Sequence, residues 1–394
     1  MAVGGTSTVG PIIVYASGEG TSSIPLPTGV YTVVGSSGTT GVQSLVIGSN
    51  TFAANANSTA YLSASSLQVT AGSLTTWTTR TSGFGATNIN AATFGNGVYV
   101  AIGNSQTIRY SADAITWNTP TYTPIDTTGG SSGFRSIIYS NGYFVGIGLS
   151  RSTNSGPPYY DPVNSIHYIT STDGITWSSS TFNHLSSATY YAIAAGNNRY
   201  VIVGDNSEIA YSTSTPFSWT RVTNASANHR AITFGNNLFV VGGTQGALHT
   251  STDAITWTTR TSGFGTSQIN ALTFGNGIYV AAGAAGTLTT STNGTTLTTR
   301  TSGFGTTNIF GLTYSNGSFV AVGDAGQLRS STDGITWTSR TSGFGTSAIN
   351  AVTGNLGVFV AGGAAGTITT TGNFSGMYWT ITPVGTNSLV VTIG

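Results

Sequence analysis

Apolar positions in this chain come in short alternating runs, cut by glycine and asparagine roughly every 8–12 residues. Between 258 and 297, residues 268–274 (Gln-Ile-Asn-Ala-Leu-Thr-Phe) precede the turn Gly275-Asn276-Gly277. Residues 278–282 (Ile-Tyr-Val-Ala-Ala) then lead into Gly283-Ala284-Ala285-Gly286. A third run, 287–291, reaches a turn at Thr292-Asn293-Gly294, and a fourth continues past Leu297. Runs of this length between turn formers predict four β-strands.

The unit recurs. Trp-Thr-Thr-Arg-Thr-Ser-Gly-Phe-Gly begins at Trp77 and Trp257, returns with Leu297 in place of Trp, and returns at Trp337 with Ser339 for the second Thr. Weaker copies of the Trp position stand at Trp117, Trp177, Trp219 and Trp379, giving spacings of 40, 60, 42, 38, 40, 40 and 42 residues. Eight marks enclose seven units. Four-stranded repeats of about 40–45 residues predict an all-β fold, here a seven-bladed β-propeller over 73–375. Leu74–Thr81 is expected to complete the blade whose other strands lie at about 348–371, which leaves the ring without a free edge. Closure within the C-terminal segment, near Met377–Pro383, is the alternative.

Residues 1–72 do not follow the repeat. They hold runs at Ile12–Ala16, Val30–Val34, Ser44–Ile47, Ala60–Ser63 and Leu67–Thr70, and the tail offers Tyr378–Thr382 and Ser388–Ile393. Ring closure brings head and tail together, so 1–72 completed by 376–394 is expected to form a small β-sandwich-like domain for attachment or assembly.

Composition narrows the function. Only 5% of the 394 residues are charged, against about a quarter in an ordinary domain; all 11 basic residues are arginine, and there is no cysteine. No basic run exists to neutralise phosphates, so nucleic acid is not an expected partner. The apolar runs are far shorter than the ~20 residues a bilayer requires, so membrane insertion is not expected. The first residues lack a basic segment followed by an apolar one, so no cleavable secretion signal is expected.

Ser-x-Asp-x-x-Thr-Trp stands at Ser111–Trp117, Ser171–Trp177, Ser251–Trp257 and Ser331–Trp337, with degraded copies at Ser291–Leu297 and Ser212–Trp219. An aspartate here can accept backbone N–H groups two residues on and fix the turn. The tryptophan can cover apolar surface between blades. The pattern resembles the Asp-box (BNR) repeat of sialidase-like and related propellers. Asp113, Asp173, Asp253 and Asp333, with Trp117, Trp177, Trp257 and Trp337, are therefore read as structural.

Constellations for catalysis are scarce. Glycoside hydrolysis usually takes two facing carboxylates. Outside the Ser-x-Asp turns the acids are Glu19, Asp126, Asp161, Asp205, Glu208 and Asp324. Asp205 and Glu208 share one loop and are read as solvated or turn-capping. The sialidase arginine motif Arg-Ile-Pro is absent. Arg80, Arg260, Arg300 and Arg340 repeat with the fold and are assigned to it, and Phe84, Phe264, Phe304 and Phe344 are expected to wedge between blades. The histidines (His167, His184, His229, His249) are read as lying in different units without ligand spacing, so neither a metal nor a cofactor is expected.

The unit ending at Trp177 carries the excess length, as one insertion near Pro120–Asp126 and another in Arg151–His167. Both should extend one rim, and Tyr122, Asp126, Arg151, Tyr159, Tyr160, Asp161 and His167 are the candidate ligand- or partner-binding residues. Proline-stiffened, tyrosine-rich loops suit carbohydrate or protein contact because little entropy is lost on binding. Taken whole, charge-poor Thr/Ser/Gly/Asn-rich units on a short β head resemble virion proteins of tailed bacteriophages: fibre, tail-tip or head-decoration subunits. That resemblance implies a non-enzymatic structural or adhesion subunit in an extracellular virion. Its expected partners are other virion proteins, further copies of itself in the assembly, and a host-surface glycan or protein. The alternatives are a carbohydrate-active enzyme of sialidase-like type and a secreted bacterial lectin.

Overall fold

The structure is a computed structural model. It describes residues 74, 76–123, 133–149, 165–183, 189–213, 217–222, 227–315, 317–355 and 358–371, together with the strands within 12–70 and 378–383. The fold is all-β. Seven innermost strands (Ile89–Gly95, Phe134–Ser140, Tyr190–Gly196, His229–Gly235, Ile269–Gly275, Ile309–Ser315 and Ile349–Asn355) each contact the next, and the last contacts the first. Each opens an antiparallel blade, so the ring is a seven-bladed β-propeller. Six blades have four strands; the first has three, its outer position reduced to an isolated bridge between Tyr110 and Asn118.

Closure uses the expected strand. Trp77–Arg80 pairs with Ile368–Thr371 and supplies the outer strand of the seventh blade. Outside the ring, Tyr378–Pro383 pairs with Ile12–Tyr15 on one side and Gly29–Gly35 on the other, and Asn57–Leu62 completes that sheet. Thr21–Ile24, Leu67–Thr70, Ser44–Ile47 and Asn50–Ala53 form a second sheet in that order.

The core lies between blades. Second strands are buried from their second residue on, and Val98–Gly103 is buried at every position, because both faces of each blade are covered by neighbours. One cluster joins Val201 and Val203 to Phe239 and Val241 of the next blade, with Trp257 beside them. Four of the loops entering blades are stapled to the blade they leave, through Ser82, Ser262, Ser302 and Ser342. Ser262 Oγ donates to the Gly246 carbonyl at 2.6 Å and accepts the Phe264 N–H at 3.2 Å, which seats the Phe264 ring in the core. Phe84, Phe304 and Phe344 are buried in the same way. The repeated arginines lie across their own sheet: Arg260 Nε donates to Thr250 Oγ1 at 2.9 Å, and Arg300 Nε to Thr290 Oγ1 at 2.9 Å.

The Ser-x-Asp turns are closed by their aspartates. Asp253 Oδ1 accepts the N–H groups of Ile255 and Thr256 at 2.9 and 2.8 Å and the Ser251 hydroxyl at 2.9 Å. The Thr256 N–H, acting against partial burial, holds the carboxyl below the usual carboxylate range. Asp113, Asp173 and Asp333 repeat the arrangement, and Asn293 keeps it with an amide oxygen. A side-chain acceptor for two such donors is worth about 0.5–2 kcal/mol at a helix cap. Asp253→Ala is expected to destabilise the chain by about that amount, and Asp253→Asn by less, measured by urea unfolding at pH 7.

Every innermost strand carries a β-bulge at its second residue. In the fifth blade Ile269 pairs with Gly283 and Ala271 with Ala282, leaving Asn270 as the extra residue. The same shift occurs in the other six blades. A bulge bends the strand and re-aims the extra side chain. Gly283 makes room for it: a Cβ there would fall far inside contact with the Gln268 carbonyl oxygen.

Candidate functional site

The seven bulged residues are Asn90, Arg135, Tyr191, Arg230, Asn270, Phe310 and Asn350, and together they ring one mouth of the central channel. That mouth opens on the face of the blade-entering loops and the second-to-third-strand turns. The two are tied together, for example by the Asn104 N–H donating to the Asn88 carbonyl at 3.0 Å. The space inside this open mouth is about 200 Å³.

Asparagine is the repeat residue at this position, and it does repeat work. Asn90, Asn270 and Asn350 Nδ2 donate to the backbone carbonyls of Phe134, Ile309 and Ile89, the first strand residues of the following blades, at 2.8, 2.9 and 3.1 Å. Three consecutive blades abandon it for Arg135, Tyr191 and Arg230. The Arg230 guanidinium lies 3.9 Å from the Tyr191 ring centroid and that of Arg135 lies 5.0 Å from it. Asp205, in the turn after the second strand of the third blade, holds the group in place. It accepts from Arg230 Nη1 at 2.6 Å and from the Tyr191 hydroxyl at 3.0 Å. The carboxylate is taken by Arg230 and the Tyr191 hydroxyl, and Arg135 is exposed. Among the described residues, every other arginine has a hydrogen-bond acceptor and Arg135 has none. Such a mouth can bind and orient an anion.

Behind it lies a second polar layer. Glu208 is fully buried and accepts Arg221 through both Nε (2.7 Å) and Nη2, with the Tyr190 hydroxyl at 3.4 Å. Burial, reinforced by the Glu208 charge, pushes the Tyr190 hydroxyl far up. His229 and His249 fall in one blade and face each other edge-on, 5.3 Å between centroids. Burial, with His249 beside it, pushes His229 down to about 4. Among the described residues no three His, Asp or Glu side chains converge as a metal site.

These positions correct several expectations. Asp205 and Glu208 are not solvated turn caps: one anchors the channel mouth and the other is a buried ion-pair partner. The histidines are not all in separate units. Of the rim candidates, His167 is buried in a third strand, because its strand position faces the core. Tyr122 packs 6.0 Å from the Phe134 ring and donates its hydroxyl to Gln106 Oε1 at 2.9 Å, on the channel-mouth face. Asp126, Arg151, Tyr159, Tyr160 and Asp161, like His184, lie outside the described residues. The signal missed in the sequence was substitution rather than insertion: Asn90, Asn270 and Asn350 align with Arg135, Tyr191 and Arg230.

Fold and site together define a seven-bladed propeller with a cationic, aromatic channel mouth. No protein-family model matches the chain, and no curated protein matches it. Solved structures do. Virginiamycin B lyase from Staphylococcus aureus, a catalytically inactive variant with quinupristin, is similar at a TM-score of 0.62 and 12% identity. That match covers 75% of this chain and 98% of the other. YCF48 from Cyanidioschyzon merolae is similar at a TM-score of 0.56 and 14% identity, covering 75% and 98%. YCF48 bound to a D1 peptide is similar at 0.57 and 16%, covering 75% and 94%. At these identities the likeness is one of fold. It nevertheless corrects the expectation that the chain is not an enzyme, since the same propeller is a lyase in one of these neighbours. Scarcity of carboxylates is no ground for excluding catalysis.

Proposed function

We propose that this chain is an attachment subunit whose propeller captures a partner at the channel mouth. In this reading the composite sheets of head and tail join it to a larger particle, of which a tailed-phage virion is the favoured kind. The observation that carries the reading is the break in the repeat. Three neighbouring blades give up an inter-blade hydrogen bond to place Arg135, Tyr191 and Arg230 at one opening. Structural neighbours support a protein partner to the extent that YCF48 binds a peptide. The pairing of Tyr378–Pro383 between two N-terminal strands supports a single anchoring unit separate from the ring.

The test combines location and binding. Antibody against residues 1–72 should be blocked in intact particles and admitted by the isolated chain, while the propeller remains labelled in both. Arg135→Ala should lower capture of host cells or of the neighbouring subunit at least tenfold. Its unfolding free energy should fall by no more than about 1 kcal/mol, the worth of the exposed cation–π contact with Tyr191 that it loses. Capture by Arg135→Ala at the wild-type level would remove the channel mouth from the function.

A further inference from the structure

Resting on that reading of the channel mouth, we infer that the whole mouth side of the ring docks an acidic polysaccharide. An acidic protein segment is the rival occupant. Three observations favour the sugar polymer and set its direction of approach.

The first is how the charges sort between the two sides. The Ser-x-Asp turns and the turns after each innermost strand close the ring on the side opposite the mouth. On that far side stand Asp113, Asp173, Asp253 and Asp333, with Arg199, whose Nη1 donates to the Asp253 carbonyl at 2.5 Å. On the mouth side Arg135 and Arg230 are joined by Arg109 and Arg329. Their Nη2 atoms donate to the carbonyls of Gly83 and Gly303, in blade-entering loops, at 2.6 and 2.5 Å. Asp205 and Asp324 are the acids there. Among the described residues the remaining charges are the Glu208–Arg221 pair and Arg80, Arg260, Arg300 and Arg340. The Nε atoms of those four reach back along their own sheets, between the two sides. The mouth side is therefore net positive and the far side net negative. Guanidinium forks meet carboxylate and phosphate-like oxyanions in two parallel hydrogen bonds, so spaced arginines suit a polymer that repeats an oxyanion.

The second is what else the mouth side exposes. Its open lining is mostly polar. Asn90, Asn270 and Asn350 spend Nδ2 on neighbouring backbone carbonyls. An amide oxygen with two lone pairs stays on each, able to accept from a sugar hydroxyl. Large apolar residues are exposed at Ile175, Ile255 and Ile335, and all three lie in Ser-x-Asp turns on the far side. At the mouth the Tyr191 ring lies under Arg230, and Phe310 is half-buried. A protein partner is held through a desolvated core with bulky anchors, for which the mouth side has no exposed apolar counterpart. A hydroxylated, acidic chain needs none.

The third is the direction in which the ring is held. Thr371 ends the third strand of the seventh blade and pairs with Trp77, which opens its outer strand. Elsewhere a turn such as Ser251–Trp257 makes that join on the far side. In the seventh blade the chain instead runs out to the tail and in from the head. Both leads leave the ring on the far side, so a ring held by them presents its arginines outward.

The experiment measures binding of the full chain to immobilised alginate, dextran sulfate, uncharged dextran and polyglutamate, at low and at physiological salt. Expected is binding of alginate but not of dextran, weaker at the higher salt because exposed charges are screened over about 8–10 Å. Arg135→Gln and Arg109→Gln should each weaken it severalfold. Arg199→Gln, the same change of charge on the far side, should not. Equal binding of dextran sulfate would show that any acidic sugar polymer serves, and its failure would single out uronates; both agree with the inference. The chain has no cysteine, so Ala86→Cys on the mouth side and Ala112→Cys on the far side each carry a single label. Alginate should slow maleimide reaction at the first and not at the second. The inference is overturned if dextran binds as well as alginate, if no acidic polysaccharide binds, if Arg199→Gln weakens binding as much as Arg135→Gln, or if Ala86→Cys is not protected. Polyglutamate that binds best and is lost in Arg135→Gln would keep the channel mouth as the capture site and reject the sugar. Alginate binding indifferent to Arg135→Gln would sink the channel-mouth reading, and this inference with it.

Discussion

Arg221→Ala is expected to destabilise the protein by about 3–5 kcal/mol, the usual cost of leaving one member of a buried ion pair alone. Glu208 has no exposed surface, whereas 41% of the Arg221 side chain is open to solvent. The arginine therefore loses little water in making the pair, and the carboxylate depends on it. The Tyr190 hydroxyl, at 3.4 Å, is too distant to replace a two-point guanidinium contact. The remedy is written in the repeat. Thr107, Thr287 and Thr367 occupy the Glu208 position in other blades, so Glu208→Thr in the Arg221→Ala background should recover most of the loss. Urea unfolding at pH 7 of the two single variants and the double would measure this. A loss below 0.5 kcal/mol in Arg221→Ala would show that the buried carboxylate is satisfied by other means.

The second large effect is acid-dependent and centres on His229. Ile89, Ile269, Ile309 and Ile349 hold the corresponding first position of the innermost strand in four other blades. A fully buried imidazole in an isoleucine's place is driven to its neutral form by burial first and by the facing His249 second; the Glu208 backbone opposes the shift, and Arg230 adds to it. Its folded value, about 4, lies below the ~6.5 of an exposed imidazole. Between those two values the unfolded chain takes up a proton that the folded one does not. Stability is therefore full above about pH 6.5 and falls as pH drops through the window, by about 3 kcal/mol in total. His249, itself lowered by burial, steepens the fall. His229→Ile is expected to flatten the dependence and to leave the fold intact, since it restores the repeat residue. Unfolding free energies of the two chains at pH 7, 6 and 5 would decide the matter. Parallel curves would mean that His229 is not the titrating group. The variant also separates this layer from the channel mouth, because Arg135 binding should survive it.

Both effects fall where the repeat is broken, and that governs what the sequence could show. Blade number, strand order and turn positions were legible because each rests on local interactions. An Asp253 carboxylate reaches donors two and three residues away, and a strand alternates its faces with period two. The closing strand was legible as well, because Trp77–Arg80 carries the repeat's own residues and an open ring would expose an edge. The corrected readings concern residues whose meaning is non-local. Asp205 and Glu208 looked like loop acids because their partners, Arg230 and Arg221, belong to other strands and loops.

What the sequence alone determined is the all-β, seven-unit ring and the devices that hold each unit: the Ser-x-Asp turn, the docked phenylalanine and the cross-strand arginine. What only the tertiary structure decided is that Arg135, Tyr191 and Arg230 meet. A β-bulge turns each second residue toward the axis, and closure of the ring then brings side chains from successive blades to one opening. Neither step leaves a local mark beyond a substituted asparagine, because an angle imposed by seven packed sheets is a property of the ring and not of any one segment.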